Sequence, residues 1–190
     1  MNDATLARPP SDAAARLGLW VLIAVITVLF LQVIQAYAVR SDSIDWQRLP
    51  ALPLLGWNTL TLLLASIALQ AAATHQRRRI ALRAAGLFAC AFLIGQLVAW
   101  QQMRSAGFLV AGNPANSFFY LLTGMHGVHV LGGLIAWGLL MIRARQGADI
   151  TSGTRLCARY WHFLLLVWLL LYSVLFLIPP ATLQVICGGG

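Results

Sequence analysis

Five stretches of roughly 20 apolar residues, at 17–38, 52–73, 81–101, 118–142 and 160–178, fill most of this 190-residue chain. A helix needs about 20 such residues to cross the ~30 Å hydrocarbon layer of a bilayer. That layer holds no water to satisfy N–H and C=O groups, so segments of this length must be helices. The links between them are short, which favours consecutive helices as antiparallel neighbours. The pattern predicts an all-α, polytopic membrane protein. It forms one up-down bundle of five transmembrane helices over 17–180, preceded by a polar arm over 1–16 and followed by a tail over 181–190. Pro179-Pro180 closes the last helix, because proline has no N–H to donate. Ala36-Tyr37-Ala38 is similar to a signal-peptidase site, but the apolar run before it exceeds the ~7–15 residues of a signal peptide. The first stretch therefore reads as a retained helix. No internal repeat is visible, which argues against a transporter of inverted halves.

All 13 basic residues are Arg and all five acidic residues are Asp, giving a net charge of +8. A basic balance of this size suggests nucleic acid as a partner, but the arginines form no patch and lie between the apolar stretches. Ten of them (Arg8, Arg16, Arg77, Arg78, Arg79, Arg83, Arg143, Arg145, Arg155 and Arg159) fall on the side of the N-terminus; Arg40, Arg48 and Arg104 fall on the other. Cytoplasmic loops carry the excess of basic residues. The N-terminus is therefore expected in the cytoplasm and the C-terminus in the periplasm, across a bacterial inner membrane, with no nucleic-acid partner. Cys90 is expected as a small buried residue of the third helix. Cys157 and Cys187 fall on opposite sides of the membrane, and no C-x-x-C indicates a dithiol or zinc site.

Polar side chains in hydrocarbon are expensive and usually face another helix or a cavity. The candidates are Gln32, Gln35, Asn58, Thr59, Thr61, Ser66, Gln70, Gln96, Thr123, His126 and His129. His126 and His129, three residues apart, share a helix face. They lie roughly 12 and 17 Å in from the end of their stretch, at 1.5 Å per residue. His75 and His162 belong near the ends of theirs, so no histidine stands at matching depth for a bis-histidine haem. No metal or cofactor is assigned to this chain. Gly124, Gly127, Gly132 and Gly133, with the pairs Thr123/Gly127 and Gly132/Ala136, offer a small face for close approach by a partner helix.

The run FFYLLTGMHGVHVLGG at 118–133 resembles the signature F-Y-x-x-T-G-x-H-G-x-H-V-x-x-G of haem–copper oxidase subunit III. Phe119, Tyr120, Thr123, Gly124, His126, Gly127, His129, Val130 and Gly133 all match. Tyr160-Trp161-His162-Phe163 with Trp168 resembles the opening of that family's last helix. Asn58-Thr59 resembles its N-T-x-x-L-L-x-S helix, and Gly18-Leu19-Trp20 its G-M-W entry. Gln96, Trp100 and Gly107 are similar to its Q-x-x-E-Y-x-x-L-x-x-x-G segment. The likeness covers about residues 16–178 and implies the five-helix bacterial form, with its N-terminus inside.

The resemblance implies an accessory subunit of a respiratory terminal oxidase that reduces O₂ to water in aerobic electron transport. Such a subunit carries no catalytic, cofactor-binding or metal-binding residue. Haem and copper reside in its partners, subunits I and II, with a small subunit IV and membrane phospholipid as further neighbours. Asn58, Gln96, Tyr120, Thr123, Gly124, His126, Gly127, His129, Gly133, Tyr160, Trp161 and His162 would serve helix packing and lipid contact. Three departures are systematic: Ile26, Ala99 and Leu165, the last within the run Leu164–Leu166, stand where the family has carboxylates. Each such group costs roughly 2.5–3.5 kcal/mol at mid-membrane. Their loss removes the means of binding a proton there, which in the family supports proton uptake, and leaves the scaffold role. Two alternatives stand beside this reading: a divergent homologue accompanying nitric oxide reductase, and a stand-alone small transporter or haem protein. The donor, cytochrome c or quinol, is set by another subunit.

Overall fold

The computed structural model describes residues 12–41, 43–74, 78–179 and 182. Among them five helices are long and apolar enough to cross a membrane, and there is no strand. They are α1 (Asp12–Arg40), α2 (Pro53–Thr74), α3 (Arg78–Ser105), α4 (Pro114–Arg145) and α5 (Thr151–Tyr172). The helices outrun several of the apolar stretches, because polar residues continue a helix into water. Residues 12–16 of the expected arm thus belong to α1. The rest of the arm, His75, Arg77, Pro180 and the tail other than Thr182, Cys187 included, lie outside the described residues.

Local chemistry sets the starts of α4 and α5. Asn113 Oδ1 accepts from the Ala115 N–H at 3.0 Å, and Pro114 occupies the first turn, where no N–H is required. The same side chain donates to the Gln47 carbonyl at 2.8 Å, tying the α1–α2 link to the start of α4. Asp149 Oδ1 accepts from the Thr151 N–H and hydroxyl at 2.9 and 2.6 Å, and Arg78 donates to Thr151 Oγ1 at 2.9 Å. The Thr151 hydroxyl and N–H hold the Asp149 carboxyl below its ordinary range. At its other end α5 passes into a π-helical turn, Ser173–Leu177, which stops before Pro179.

Side-chain pairs fix the helix directions. Thr59 meets Trp168 while Gln70 meets His162, so α2 and α5 are antiparallel. Trp100 meets Thr123 while Leu82 meets Trp137, so α3 and α4 are antiparallel. Phe30 lies against His126 and Tyr37 against Phe118, so α1 and α4 are antiparallel. The α2–α3 and α4–α5 links therefore share a face with the start of α1, here called the near face. The α1–α2 and α3–α4 links lie on the far face.

One expectation about neighbours fails. Helices α2, α3, α4 and α5 close a ring, each packed on the next and α5 packed on α2, whereas α1 docks outside this ring, chiefly on α4 and α5 rather than on α2. The link is long enough to allow this. Its residues span up to about 3.3 Å each, against roughly 8–10 Å between packed helix axes. It crosses the far end of α5, where Trp46 and Leu49 share a cavity wall with Tyr172, Leu175 and Phe176.

The interior is apolar and aromatic, with Phe30, Phe92, Phe119, Leu62, Leu122, Leu164 and Trp168 fully buried or nearly so. The outward surface is equally greasy, with Trp20, Val25, Trp57, Leu87, Ile94, Val128 and Ile135 all exposed, as suits hydrocarbon. Cys90 belongs to this outward set: it is exposed, not buried as expected, while Cys157 is buried. A small apolar thiol is as stable against lipid tails as in a core, so hydrophobicity alone does not turn it inward.

Candidate functional site at the signature helix

The residues of the α4 signature gather in one layered seam between α1, α3 and α5. His126 stands at mid-depth and is 0% exposed. Its ring meets Phe92 edge-on at 5.7 Å, Trp168 at 5.4 Å and Phe30 at 6.5 Å between centroids. Four helices thus contribute to one aromatic box. Neither imidazole nitrogen has a hydrogen-bond partner, nor does the Gln96 amide, which follows Phe92 by one turn on the same face of α3. Asn58 lies in the neighbouring α2–α3 seam, its Oδ1 where a Cβ on Gly95 would fall.

His129 is turned differently. Its Nδ1 bonds the Met125 carbonyl at 2.7 Å, its own carbonyl accepts from Tyr160 OH at 3.1 Å, and its ring packs on Phe30 at 5.6 Å. The two histidines share the Phe30 ring but do not converge on a common point. Among the described residues no group of three or more His, Cys, Asp or Glu side chains is placed to hold a metal ion.

Towards the far face, Trp100 Nε1 donates to Thr123 Oγ1 at 3.0 Å, and Thr123 Oγ1 donates to the Phe119 carbonyl at 2.6 Å. Tyr120 OH reaches the Phe108 carbonyl at 3.0 Å and anchors the α3–α4 link. Towards the near face, His162 bridges α5 to α2. Its Nδ1 is 2.5 Å from Ser66 Oγ and its Nε2 is 3.0 Å from Gln70 Oε1. Between these levels Trp168 Nε1 donates to Thr59 Oγ1 at 2.9 Å. Apart from the Thr123–Phe119 bond, which lies within α4, each of these bonds joins two helices or a helix and a link. Such bonds are worth on the order of 0.6–2 kcal/mol apiece in a membrane.

The glycines of α4 are used in a way the sequence did not indicate. A Cβ on Gly124 would lie 3.5 Å from the Trp100 ring and one on Gly133 3.3 Å from the Trp161 and Tyr160 rings, so the small face receives aromatic rings and not a backbone. A Cβ on Gly127 or Gly132 would meet no neighbouring group within 4 Å, and Gly132 and Ala136 are exposed. Among the described residues, no other helix closely approaches these two glycines. Another close approach was not anticipated: the Trp137 indole lies where a Cβ on Gly86 would be, and Trp137 Nε1 donates to the Leu82 carbonyl at 2.8 Å. The signal for it was Trp137 itself, since a buried indole N–H usually finds an acceptor.

The three apolar departures sit in or beside the core. Ile26 is 2% exposed and Ala99 0%, and Leu165 is half-buried beside the fully buried Leu164. A lateral groove of about 540 Å³ opens between α1, α4 and α5 in the near half. Leu19, His129, Gly132, Cys157 and Tyr160 line it, and Arg143 stands at its near-face end.

Comparison with known proteins bears directly on this helix. The model of the family "Cytochrome c oxidase subunit III" matches residues 42–178. A probable cytochrome c oxidase subunit 3 of Mycobacterium bovis is 37% identical over 97 residues, 49% of this chain and 46% of that protein. The match thus spans just under half the length of that relative. Longer but weaker likenesses reach subunit 3 of the cytochrome bo(3) ubiquinol oxidase of Pseudomonas putida, 29% identical over 85% of this chain and 84% of that one. Subunit 3 of the cytochrome c oxidase of Bacillus sp. (strain PS3) is 26% identical over the same shares. A match covering four of the five helices, signature included, places this multi-pass membrane protein in the cytochrome c oxidase subunit III family.

Proposed function

We propose that this chain is the accessory, non-redox subunit of a respiratory haem–copper terminal oxidase in a bacterial inner membrane, steadying the catalytic subunit and the lipid beside it. The observation that carries the proposal is the use made of the signature helix. Thr123, the His129 backbone, Gly124, Gly133 and the His126 ring are all engaged by neighbouring helices of this chain. A rigid wall built this way can hold a partner in place. Haem and copper, and the reduction of O₂ to water, belong to the partners in this reading, and the subunit that takes electrons from cytochrome c or quinol sets the donor.

The carboxylate positions shape the rest of the role. With Ile26 and Ala99 buried in the core, the described helices offer no carboxylate at mid-membrane for a proton route. The scaffold role remains. The groove between α1, α4 and α5 fits a phospholipid acyl chain, with Arg143 placed to meet the headgroup phosphate.

The test is to tag the chain, extract it from native membranes in mild detergent and identify the co-purifying chains by mass spectrometry. A haem–copper catalytic subunit with its subunit II is the expected result, and the type of subunit II reveals the donor. Recovery of a nitric oxide reductase pair, or of this chain alone from membranes in which such oxidases remain intact, overturns the proposal.

A further inference from the structure

We infer that the far half of α1, around Gln32 and Gln35, seats a transmembrane helix of a partner subunit through side-chain amide or hydroxyl groups. The inference rests on the oxidase-subunit reading above and assigns it a face. Helix α1 is the most peripheral of the five, packed on α4 and α5 from one side only. Gln32 and Gln35, three residues apart, share an exposed face of it, and neither amide has a hydrogen-bond partner among the described residues. Tyr37, Trp46 and Phe118 stack close by, with centroids 5.0 and 5.6 Å apart, and mark the headgroup level. Gln35 and Gln32 lie two and five residues inward of Tyr37, or roughly 3 and 7.5 Å along the helix. At the deeper position a primary amide against lipid tails leaves two donors and one acceptor unmet.

The surroundings favour protein over a lipid headgroup. The two glutamines border an open cleft of about 1160 Å³ that runs past Ser117 and Asn113 to Arg40 and Asp45. Arg40 and Asp45 form an ion pair at 2.9 Å, so the one guanidinium at the cleft is already engaged and a carboxylate stands beside it. A phosphate would find repulsion where it needs a free cation. Amides that both donate and accept are complemented by the amide or hydroxyl side chains of another helix.

The experiment places a photoreactive benzophenone residue at position 32 or 35 and isolates the complex through a tagged haem–copper catalytic subunit. After irradiation, mass spectrometry should find adducts to a transmembrane peptide of another subunit. Adducts only to lipid, or to a second copy of this chain, overturn the inference and leave the oxidase reading standing. Absence of this chain from the captured complex overturns both. The double variant Gln32→Leu/Gln35→Leu exposes only more apolar surface, so insertion and folding should persist. About three- to tenfold less of it should remain in the captured complex; unchanged retention also sinks the inference.

Discussion

At Gly86 the Trp137 ring lies where a side chain would begin, and that position lets the indole reach the Leu82 carbonyl. Replacing Gly86 with Ala forces the ring outward and strains or breaks this bond. Gly86→Ala should therefore lose about 1–3 kcal/mol of stability, the usual cost of overpacking. Unfolding in mixed detergent micelles measures it. Gly127 is in the opposite setting, where an added Cβ would meet no neighbouring group within 4 Å. Gly127→Ala should stay within about 0.5 kcal/mol of the parent. The sequence showed that small residues cluster on α4, but not which of them face a ring and which face the bilayer. That depends on helix rotation, which a string of glycines does not specify. His126 was legible as a singular residue from its motif. Its box was not, because Phe30, Phe92 and Trp168 come from three other helices far apart in sequence.

Among the elements, α2 and α5 show what holds the ring closed. Trp168 donates to Thr59, and one to two turns nearer the other face His162 meets Ser66 and Gln70. A double-mutant cycle with Trp168→Phe and Thr59→Val should show a coupling of about 0.6–2 kcal/mol. Additive losses would mean that the indole acts by its bulk alone. The number of helices was plain from apolar run length, because the thickness of the bilayer imposes it. Their ends were less plain: Asp12, Pro114 and Thr151 start helices four or more residues before the apolar runs at 17, 118 and 160. Capping and the polar turns beyond the hydrocarbon decide those ends. Adjacency was misread for α1, since a link of that length lets it seat on α4 and α5 as readily as on the next helix. Cys90 was misread because burial reasoning assumes water outside, and here the outside is lipid.

For the molecule as a whole, the arginine bias predicts which face meets the cytoplasm, with the near face inside. In a background lacking native cysteines, Ala111→Cys on the far face should react with a membrane-impermeant maleimide added to spheroplasts. Gln146→Cys on the near face should react only after lysis; the reverse pattern would invert the topology. The family match begins at residue 42, beyond α1. That boundary coincides with the division in the fold, since α1 is the helix outside the ring. Ribosomes deliver α1 first, yet its seat is made of α4 and α5, the last helices to emerge. Until they arrive, Ile26, Phe30 and Ile34 have only lipid to face. A carboxylate at position 26 would spend that interval in hydrocarbon without its neighbours. With isoleucine there, the first helix can wait in the bilayer at no penalty until its seat is built.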